Sequence, residues 1–335
     1  MKKRTSIKDV AARAGVSLST VSRVLNDRTE NHMRPETREK VLRVIRELNY
    51  APVKAAQTLR RLRTKTLGIV VPDITNLYFA LLARGIESVA FEKGFTTLIC
   101  DSNHERKREN QYIDMLRSED VEGIIFVPVG MVDMKALAAA LDQGIRIVSV
   151  DRRIPDLPIV EVDNYTASFN LAEYVLSLGY RRIGYITGPE IVSTGGDRLA
   201  GFSDAMASHG IQMAALEHGD FTFKSGYACA MRILADTGVD AILTANDLMA
   251  FGTLRAAEEL NKSVPRDLGV AGFDHVPHIP YATFMHPQLT TVEVPIHELG
   301  REAALLLIEE QDESIQLPTT LIRGGTCRQQ SKGDS

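Results

Sequence analysis

The sequence has few cysteines and no long apolar run, and both shortages exclude classes of protein. Its three cysteines, Cys100, Cys229 and Cys327, lie far apart, which argues against a disulfide framework or a zinc ribbon and fits a reducing compartment. The N-terminal segment MKKRTSIKDV lacks the apolar stretch of a secretion signal, and no uninterrupted apolar run is long enough to span a membrane. We therefore expect a cytoplasmic protein that is neither exported nor embedded in a membrane.

The motifs of several enzyme classes are also missing. The histidines show no HExxH spacing, no GxGxxG follows a predicted strand, and the STGG segment at 193–196 lacks the lysine of a phosphate-binding loop. Scattered carboxylates would suit a glycosidase, but nothing in the sequence fixes one pair of them across a sugar. We expect no catalysis, no metal and no cofactor.

Charge is distributed unevenly along the 335 residues. Residues 1–65 hold 17 lysines and arginines against 6 aspartates and glutamates, a net charge of +11. The rest of the chain carries a net charge of −15, against −4 for the whole. A basic segment on an acidic remainder is typical of a protein that binds nucleic acid with its smaller part. A chain of this length also predicts more than one domain.

The segment 7–26, IKDVAARAGVSLSTVSRVLN, has the spacing of two short helices joined by a tight turn. Ala11 is small where the second helix would cross, Gly15 suits a left-handed turn, and Val21 would point inward. Ser17 is a good N-cap for the second helix. In such a unit the second helix enters the major groove of DNA and presents its N-terminal side chains to base edges. The turn chemistry and the polar outer face favour DNA binding over an ordinary helical hairpin.

The head continues into a third helix and a linker. Pro35 suits the first turn of that helix, which should end near Tyr50. We assign 1–52 to a helix-turn-helix head, 53–65 to a basic hinge linker, and 66–328 to a larger body.

From Leu67 onward, buried strands alternate with helical segments, including helices predicted over 166–178, 197–209 and 248–260. This alternation predicts a parallel α/β sheet with helices on both faces. A second series begins near Asp163, so we expect two similar lobes. The first comprises about 66–163 plus 294–322, and the second about 164–293 plus 323–328.

Hydrogen-bonding residues follow several of these strands, among them Asp73, Asp101, Asp151, Asn246 and Asp274. Ligands of open α/β sheets bind beyond the carboxyl ends of the strands. The sequence therefore predicts a polar binding cleft between the lobes.

Seven segments together resemble the LacI/GalR family of bacterial transcription regulators over nearly the whole chain. They are IKDVAARAGVSLSTVSRVLN, RPETREKV, LNYAP, GPEIVSTGGDRLAGF, LTANDLMAFG, VAGFDHV and LTTVEVP. The resemblance implies an α/β protein with an all-α helix-turn-helix head and a two-lobed body like a periplasmic binding protein. It also implies a homodimer that reads a palindromic operator and binds a small effector between the lobes.

On the DNA side, the resemblance implies that the linker becomes a helix on the operator and that Leu59 wedges into the minor groove. We expect Leu18, Ser19 and Arg23 to read bases, with Arg23 donating two hydrogen bonds to a guanine. The full set expected at DNA is Ser6, Ser17, Leu18, Ser19, Thr20, Arg23, Asn26, Ala55, Ala56 and Leu59. Two departures from the family are Val53, where asparagine often caps the hinge helix, and a longer loop, DRTENHMRPE.

On the effector side, the resemblance places contacts on Tyr78, Phe79, Asp151, Arg152, Thr194, Arg198, Phe221, Asn246 and Asp274. Carboxylates, amides and guanidinium groups bind hydroxyls, and aromatic faces cover an apolar side of a ring, so this set favours a carbohydrate. Ordinary structural roles are the alternative: Phe79 and Phe221 in the core, Asp274 as a cap, and Arg198 paired with a carboxylate.

We expect a repressor that responds to a sugar or sugar derivative. A purine-type corepressor is the alternative within the family, while a solute receptor or a glycosidase fits the basic head poorly. The chain lacks a leucine-heptad tail that would make tetramers, which favours a dimer.

Overall fold

A computed structural model describes residues 7–25, 35–48, 64–236, 238–276 and 287–329. The chain divides into two compact units, Met1–Arg63 and Thr64–Ser335, which we call the head and the body. Most of the predicted hinge linker, 53–65, lies outside the described residues, and the predicted domain and lobe boundaries stay predictions.

Three helices form the described part of the head. They are α1 (Ile7–Ala14), α2 (Leu18–Leu25) and α3 (Pro35–Glu47). Small and β-branched side chains from all three helices form one core. Because these side chains are short, the helices must pack closely to bury them. Its buried members are Val10, Ala11, Ala14, Val21, Val24, Val41 and Val44. The third helix begins at Pro35, as predicted.

The first lobe of the body is built on a six-stranded parallel sheet with the order β11-β5-β4-β3-β1-β2. Its strands are β1 (Thr66–Val71), β2 (Thr96–Asp101), β3 (Gly123–Phe126), β4 (Arg146–Val150), β5 (Ile159–Val162) and β11 (Ile315–Leu317). Its helices are α4 (Leu77–Glu92), α5 (Arg106–Ser118), α6 (Met134–Leu141) and α11 (Ile296–Ile308). The central strand β3 is buried throughout, because helices cover both faces of a parallel sheet.

The second lobe has a four-stranded parallel sheet with the order β7-β6-β8-β9. Its strands are β6 (Ile183–Thr187), β7 (Ala215–His218), β8 (Ala241–Thr244) and β9 (Gly269–Ala271). Its helices are α7 (Asn164–Ser177), α8 (Ser193–Ser208), α9 (Phe223–Asp236) and α10 (Asp247–Glu259). A separate antiparallel pair, β10 (Thr291–Glu293) and β12 (Thr320–Ile322), lies where the chain passes between the lobes.

Helices α4 and α11 pack so closely that glycine is required on both. A Cβ on Gly85 would lie 2.1 Å from the carbonyl oxygen of His297, and one on Gly300 would lie 2.2 Å from that of Leu82. The close contact fixes helices α4 and α11 relative to each other.

Replacing Gly85 with alanine should therefore destabilise the body by about 1–3 kcal/mol, because the helices must move apart. Urea unfolding followed by circular dichroism measures the change. The matched control is Gly196→Ala on α8, where a Cβ meets nothing within 4 Å and the free energy of unfolding should rise slightly. Equal effects of the two substitutions would contradict the close-packing argument.

Candidate functional site

A cavity of about 230 Å³ lies where the carboxyl ends of the strands in the two sheets face each other. We call it the cleft. The nine residues predicted to bind the effector all line it: Tyr78, Phe79, Asp151, Arg152, Thr194, Arg198, Phe221, Asn246 and Asp274. The topology therefore brings the whole predicted set together, as parallel strands deliver their ends to one edge.

On the first lobe, Tyr78 and Asp151 form a buried hydrogen bond. The Tyr78 hydroxyl donates to Asp151 Oδ1 at 2.7 Å. Burial, followed by the nearby Asp151 and Asp274 carboxylates, raises the pKa of Tyr78, so the phenol keeps its proton and can donate. Asp151 itself sits just after β4 with φ of +66°, a conformation that side chains rarely adopt and that is typical of functional positions.

Arg152 lines the cleft and is 6% exposed. Its Nη1 donates to the carbonyl oxygen of Pro128 at 2.7 Å, and its Nε lies 3.6 Å from Asp151 Oδ2. Within the described part of the chain, that Nε has no hydrogen-bond partner. The guanidinium carbon is 5.6 Å from the ring centre of Phe79 and 5.9 Å from that of Phe221. The guanidinium group of Arg152 is therefore held beside Asp151 and close to both aromatic rings of the cleft.

On the second lobe, Arg198 and Asp274 form a buried ion pair at 3.0 Å. Arg198 also donates to Asn164 Oδ1 and to the carbonyl oxygen of Ala245, and it stacks 3.8 Å from the ring centre of Phe273. These contacts fix the guanidinium firmly. Burial raises the pKa of Asp274 to about 7, against the opposing charge of Arg198.

The remaining predicted residues are held by local geometry. Asn246 caps α10 by accepting from the Met249 amide, and its Nδ2 donates to the carbonyl oxygen of Phe221 at 3.0 Å. Phe221 has φ of +67° and Asp274 has φ of +106°. Three cleft residues, counting Asp151, thus adopt strained backbone conformations, which the surrounding hydrogen bonds must stabilise.

Eight lining residues lie outside the predicted effector set: Asp73, Thr75, Asn76, His104, Asp220, Thr222, Phe223 and Leu248. Asp73 is one of the strand-end residues named above, but most of the others come from loops that no strand pattern locates. His104 of the first lobe lies 3.8 Å from Asp73. Burial would raise the pKa of Asp220, but hydrogen bonds from Ser225 and Thr222, and the charge of His104, hold it below its usual value.

Behind the cleft, Glu109 is almost fully buried in the first lobe. Its Oε1 accepts from the Val129 amide at 2.6 Å. Burial raises its pKa to about 7, although the Val129 hydrogen bond and the Arg152 charge oppose the shift.

The raised pKa of Glu109 predicts how the free energy of unfolding depends on pH. The unfolded chain would release this proton near its usual pKa of about 4.3, whereas the folded chain holds it up to about 7. The stability that this group contributes is therefore present at low pH and is lost as pH rises through that interval. Glu109→Gln should flatten the decline in the free energy of unfolding between about pH 4 and 7. Glu313→Gln, at an exposed position, is the control, and an identical profile for wild type and Glu109→Gln would refute the assignment.

The head shows the predicted turn between α1 and α2. Gly15 has φ of +61°, and the Val16 amide donates to the carbonyl oxygen of Ala11 at 3.1 Å. Ser17 Oγ accepts from the Thr20 amide at 3.1 Å, which is the predicted N-cap of α2. Leu18 is 44% exposed although it is apolar, and Thr20 is half-buried. The exposed start of α2 is therefore free of the head's core.

The described residues include only part of the set predicted at DNA. Ser6, Asn26, Ala55, Ala56 and Leu59 lie outside the described residues. Ser19 and Arg23 belong to α2, but only their backbone is described.

Comparison with known proteins identifies both parts. Residues 64–324 match the family of periplasmic binding proteins and the sugar binding domain of the LacI family, and residues 6–53 match the bacterial regulatory proteins of the lacI family. The chain belongs to the LacI family. The predicted family, fold class and regulatory function are thereby confirmed, since this family consists of transcription regulators.

Relatives of this LacI-family protein align along most of the chain. The ribose operon repressor of Halalkalibacterium halodurans is 32% identical, and the match covers 98% of each chain. A lac repressor dimer bound to operator and the anti-inducer ONPF is 27% identical, with a TM-score of 0.73 and coverage of 97% of this chain and 100% of the other. A LacI-family regulator from Enterococcus faecium with bound ribose is 27% identical, with a TM-score of 0.71 and coverage of 79% and 100%.

Among the described residues, no group of three or more His, Cys, Asp or Glu side chains is arranged to hold a metal ion. No described helix combines the length and apolar character needed to cross a membrane.

Proposed function

We propose that this regulator is a repressor that binds operator DNA as a homodimer and that a neutral, unphosphorylated monosaccharide in the cleft controls that binding. The observation that carries the proposal is the convergence of buried hydrogen-bonding groups from both lobes on one cavity. Tyr78, Asp151 and Arg152 come from one side, and Arg198 and Asp274 from the other.

The charge of the cleft selects against a phosphorylated sugar. Four carboxylates line it, and the two guanidinium groups there already face Asp151 and Asp274. A phosphate would bring about two further negative charges. Sugar hydroxyls, by contrast, can donate to the carboxylates and accept from guanidinium donors.

The shape of the cleft favours one sugar ring. A cavity of about 230 Å³ is small for a ligand site. The rings of Phe79 and Phe221 offer apolar faces, and the Arg152 guanidinium carbon lies 5.6 and 5.9 Å from their ring centres. We assign effector contacts to the nine residues of the predicted set. Ribose is the first sugar to test, because a relative is named as a ribose operon repressor and a similar structure holds ribose.

The head supplies the DNA contacts. The capped start of α2, with Leu18 exposed, suits insertion into the major groove. We assign base contacts to Leu18, Ser19 and Arg23, and contacts of the hinge segment to Ala55, Ala56 and Leu59. Ser6, Ser17, Thr20 and Asn26 complete the assigned set.

Homodimer formation is supported by the edges of both body sheets. The edge strand β2 exposes Ile99 (50%), and the edge strand β7 exposes Leu216 (41%). Exposed apolar side chains on edge strands are surfaces that a second chain can cover.

We place the protein in the cytoplasm, where its free, buried thiols Cys100, Cys229 and Cys327 stay reduced. We also propose that it binds its effector without catalysis.

Calorimetry with the full chain tests the effector. We expect ribose, or another neutral pentose or hexose, to release heat on binding, and ribose 5-phosphate and purine bases to give none. Binding of a phosphorylated sugar or a purine, without binding of any neutral sugar, would overturn the assignment of the effector.

Selection on randomised DNA tests the function of the head, and an enriched palindrome is the expected result.

A further inference from the structure

Asp247 is a buried carboxylate that does not belong to the described lining of the cleft, yet it touches the turn that carries Asp274. It is the first residue of α10 and is 3% exposed. Its own amide donates to the carbonyl oxygen of Phe273 at 2.8 Å. Burial and the nearby Asp274 charge raise the pKa of Asp247. Thr291 and the amides of His275 and Val276 lie close enough to its carboxyl group to oppose that shift. The carboxylate therefore holds the turn on both sides of Asp274.

The contact between Asp247 and this turn is tight. A Cβ on Gly272 would lie 2.3 Å from Asp247 Oδ1, so only glycine leaves room for the carboxylate. Asp274 at the centre of the turn has φ of +106°, which costs conformational energy for a residue with a side chain. The hydrogen bonds to Asp247 offset that cost and keep the Asp274 side chain directed at Arg198.

A second link joins Asp247 to the strand that connects the lobes. The Thr291 hydroxyl on β10 donates to Asp247 Oδ1 at 2.6 Å, and both groups are buried. The Asp274 amide donates to the carbonyl oxygen of Val292 on the same strand at 2.9 Å, and the Val294 amide donates back to Asp274 at 3.2 Å. Soon after β10 the chain enters α11, which packs on α4, the helix that carries Tyr78 and Phe79.

We propose that Asp247 is a positioning residue, which holds Asp274 in its strained conformation and, through Thr291, ties that residue to the strand connecting the lobes. A sugar that binds Asp274 would thereby bias the position of the connection as well as the cleft. The inference rests on the proposed function, because it assigns Asp274 to the effector.

Asp247→Asn tests the proposal in the full-length protein. Asparagine keeps the shape of the side chain but replaces one acceptor oxygen with an N–H, which then faces donors instead of accepting from them. We expect ribose affinity, measured by calorimetry, to fall about tenfold or more, because a buried donor loses its partner. Operator affinity without sugar should stay within about twofold of wild type.

Two further variants separate positioning from general damage. Thr291→Val removes the hydroxyl and should lower ribose affinity, whereas Thr291→Ser keeps the hydroxyl and should restore it. Asp240→Asn is the matched control, because Asp240 also accepts from two backbone amides, those of Arg181 and Arg182, but lies before β8 at the opposite end of the strand from the cleft. It should lower stability without changing ribose affinity.

Hydrogen exchange in the sugar-free protein gives a readout that does not depend on the effector. Asp247→Asn should speed exchange of the His275 and Val276 amides, while Asp240→Asn should not. Faster exchange together with no sugar binding by the wild type would overturn the proposed function and retain the positioning role. Unchanged exchange at these amides, or unchanged ribose affinity in a wild type that binds ribose, would overturn the positioning role.

Discussion

Replacing Asp274 with alanine should strongly weaken the response to the sugar while operator binding stays intact. Asp274 is buried in the cleft and accepts from Arg198 at 3.0 Å. Alanine would remove the acceptor for a sugar hydroxyl and leave the fixed Arg198 guanidinium without its carboxylate. Loss of such a partner costs about 1–3 kcal/mol, which is roughly 5- to 150-fold in Kd. Calorimetry with the sugar and gel shifts with the operator measure the two halves of the prediction.

Asp274→Asn separates the loss of the acceptor from strain in the backbone. Asparagine tolerates positive φ better than alanine does, so the turn at φ of +106° should survive. It keeps one oxygen acceptor, and its affinity for the sugar should lie between those of wild type and Asp274→Ala. If Asp274→Ala binds the sugar and responds to it normally, the assignment of the cleft is wrong.

The effect on DNA follows from thermodynamic linkage. A ligand shifts an equilibrium between lobe arrangements only by binding one arrangement better than the other. The cleft takes residues from both sheets, so its occupant contacts both lobes at once. A variant that binds the sugar weakly loses that bias and should remain on the operator at sugar concentrations that release the wild type.

The sequence predicts the cleft well for a physical reason. Asp151, Asn246 and Asp274 each follow a strand whose apolar run is easy to recognise, and parallel strands deliver their ends to one edge. Other lining residues, such as His104 and Asp220, lie on loops, where hydrogen bonds rather than periodicity set the position. Two of the expected structural roles are also observed, since Arg198 pairs with Asp274 and Phe79 is buried. The helix cap is Asn246, which lines the cleft as well, whereas Asp274 is the cap expected from the sequence.

Helix boundaries and the lobe connections are harder to predict. The helices expected from 166, 197 and 248 begin earlier, at Asn164, Ser193 and Asp247. Asp163 caps the first and Asn246 the third, and such polar caps extend a helix beyond its apolar stripe. Strands β10 and β12 have three residues each and pair across a long stretch of sequence, so no local pattern marks them.

Salt should weaken operator binding more than any single substitution does. Residues 1–65 carry a net charge of +11, and a dimer presents two such segments to DNA. Each phosphate that a lysine or arginine neutralises releases counterions, and log K falls by about 0.9 per contact for each unit of log salt concentration. With roughly 6–10 phosphate contacts, affinity should fall by about 10³–10⁵ between 50 and 200 mM salt. Fluorescence anisotropy with a labelled operator measures the slope.

The binding of a neutral sugar provides the internal control for this titration. It involves no release of counterions from DNA, so the affinity of the same protein for the sugar should change little over the same range of salt. The acidic body, with a net charge of −15, adds no attraction to phosphates, which leaves the head as the source of the slope. An operator affinity that hardly changes with salt would contradict phosphate binding by the basic head, because the slope counts the phosphates that the protein neutralises.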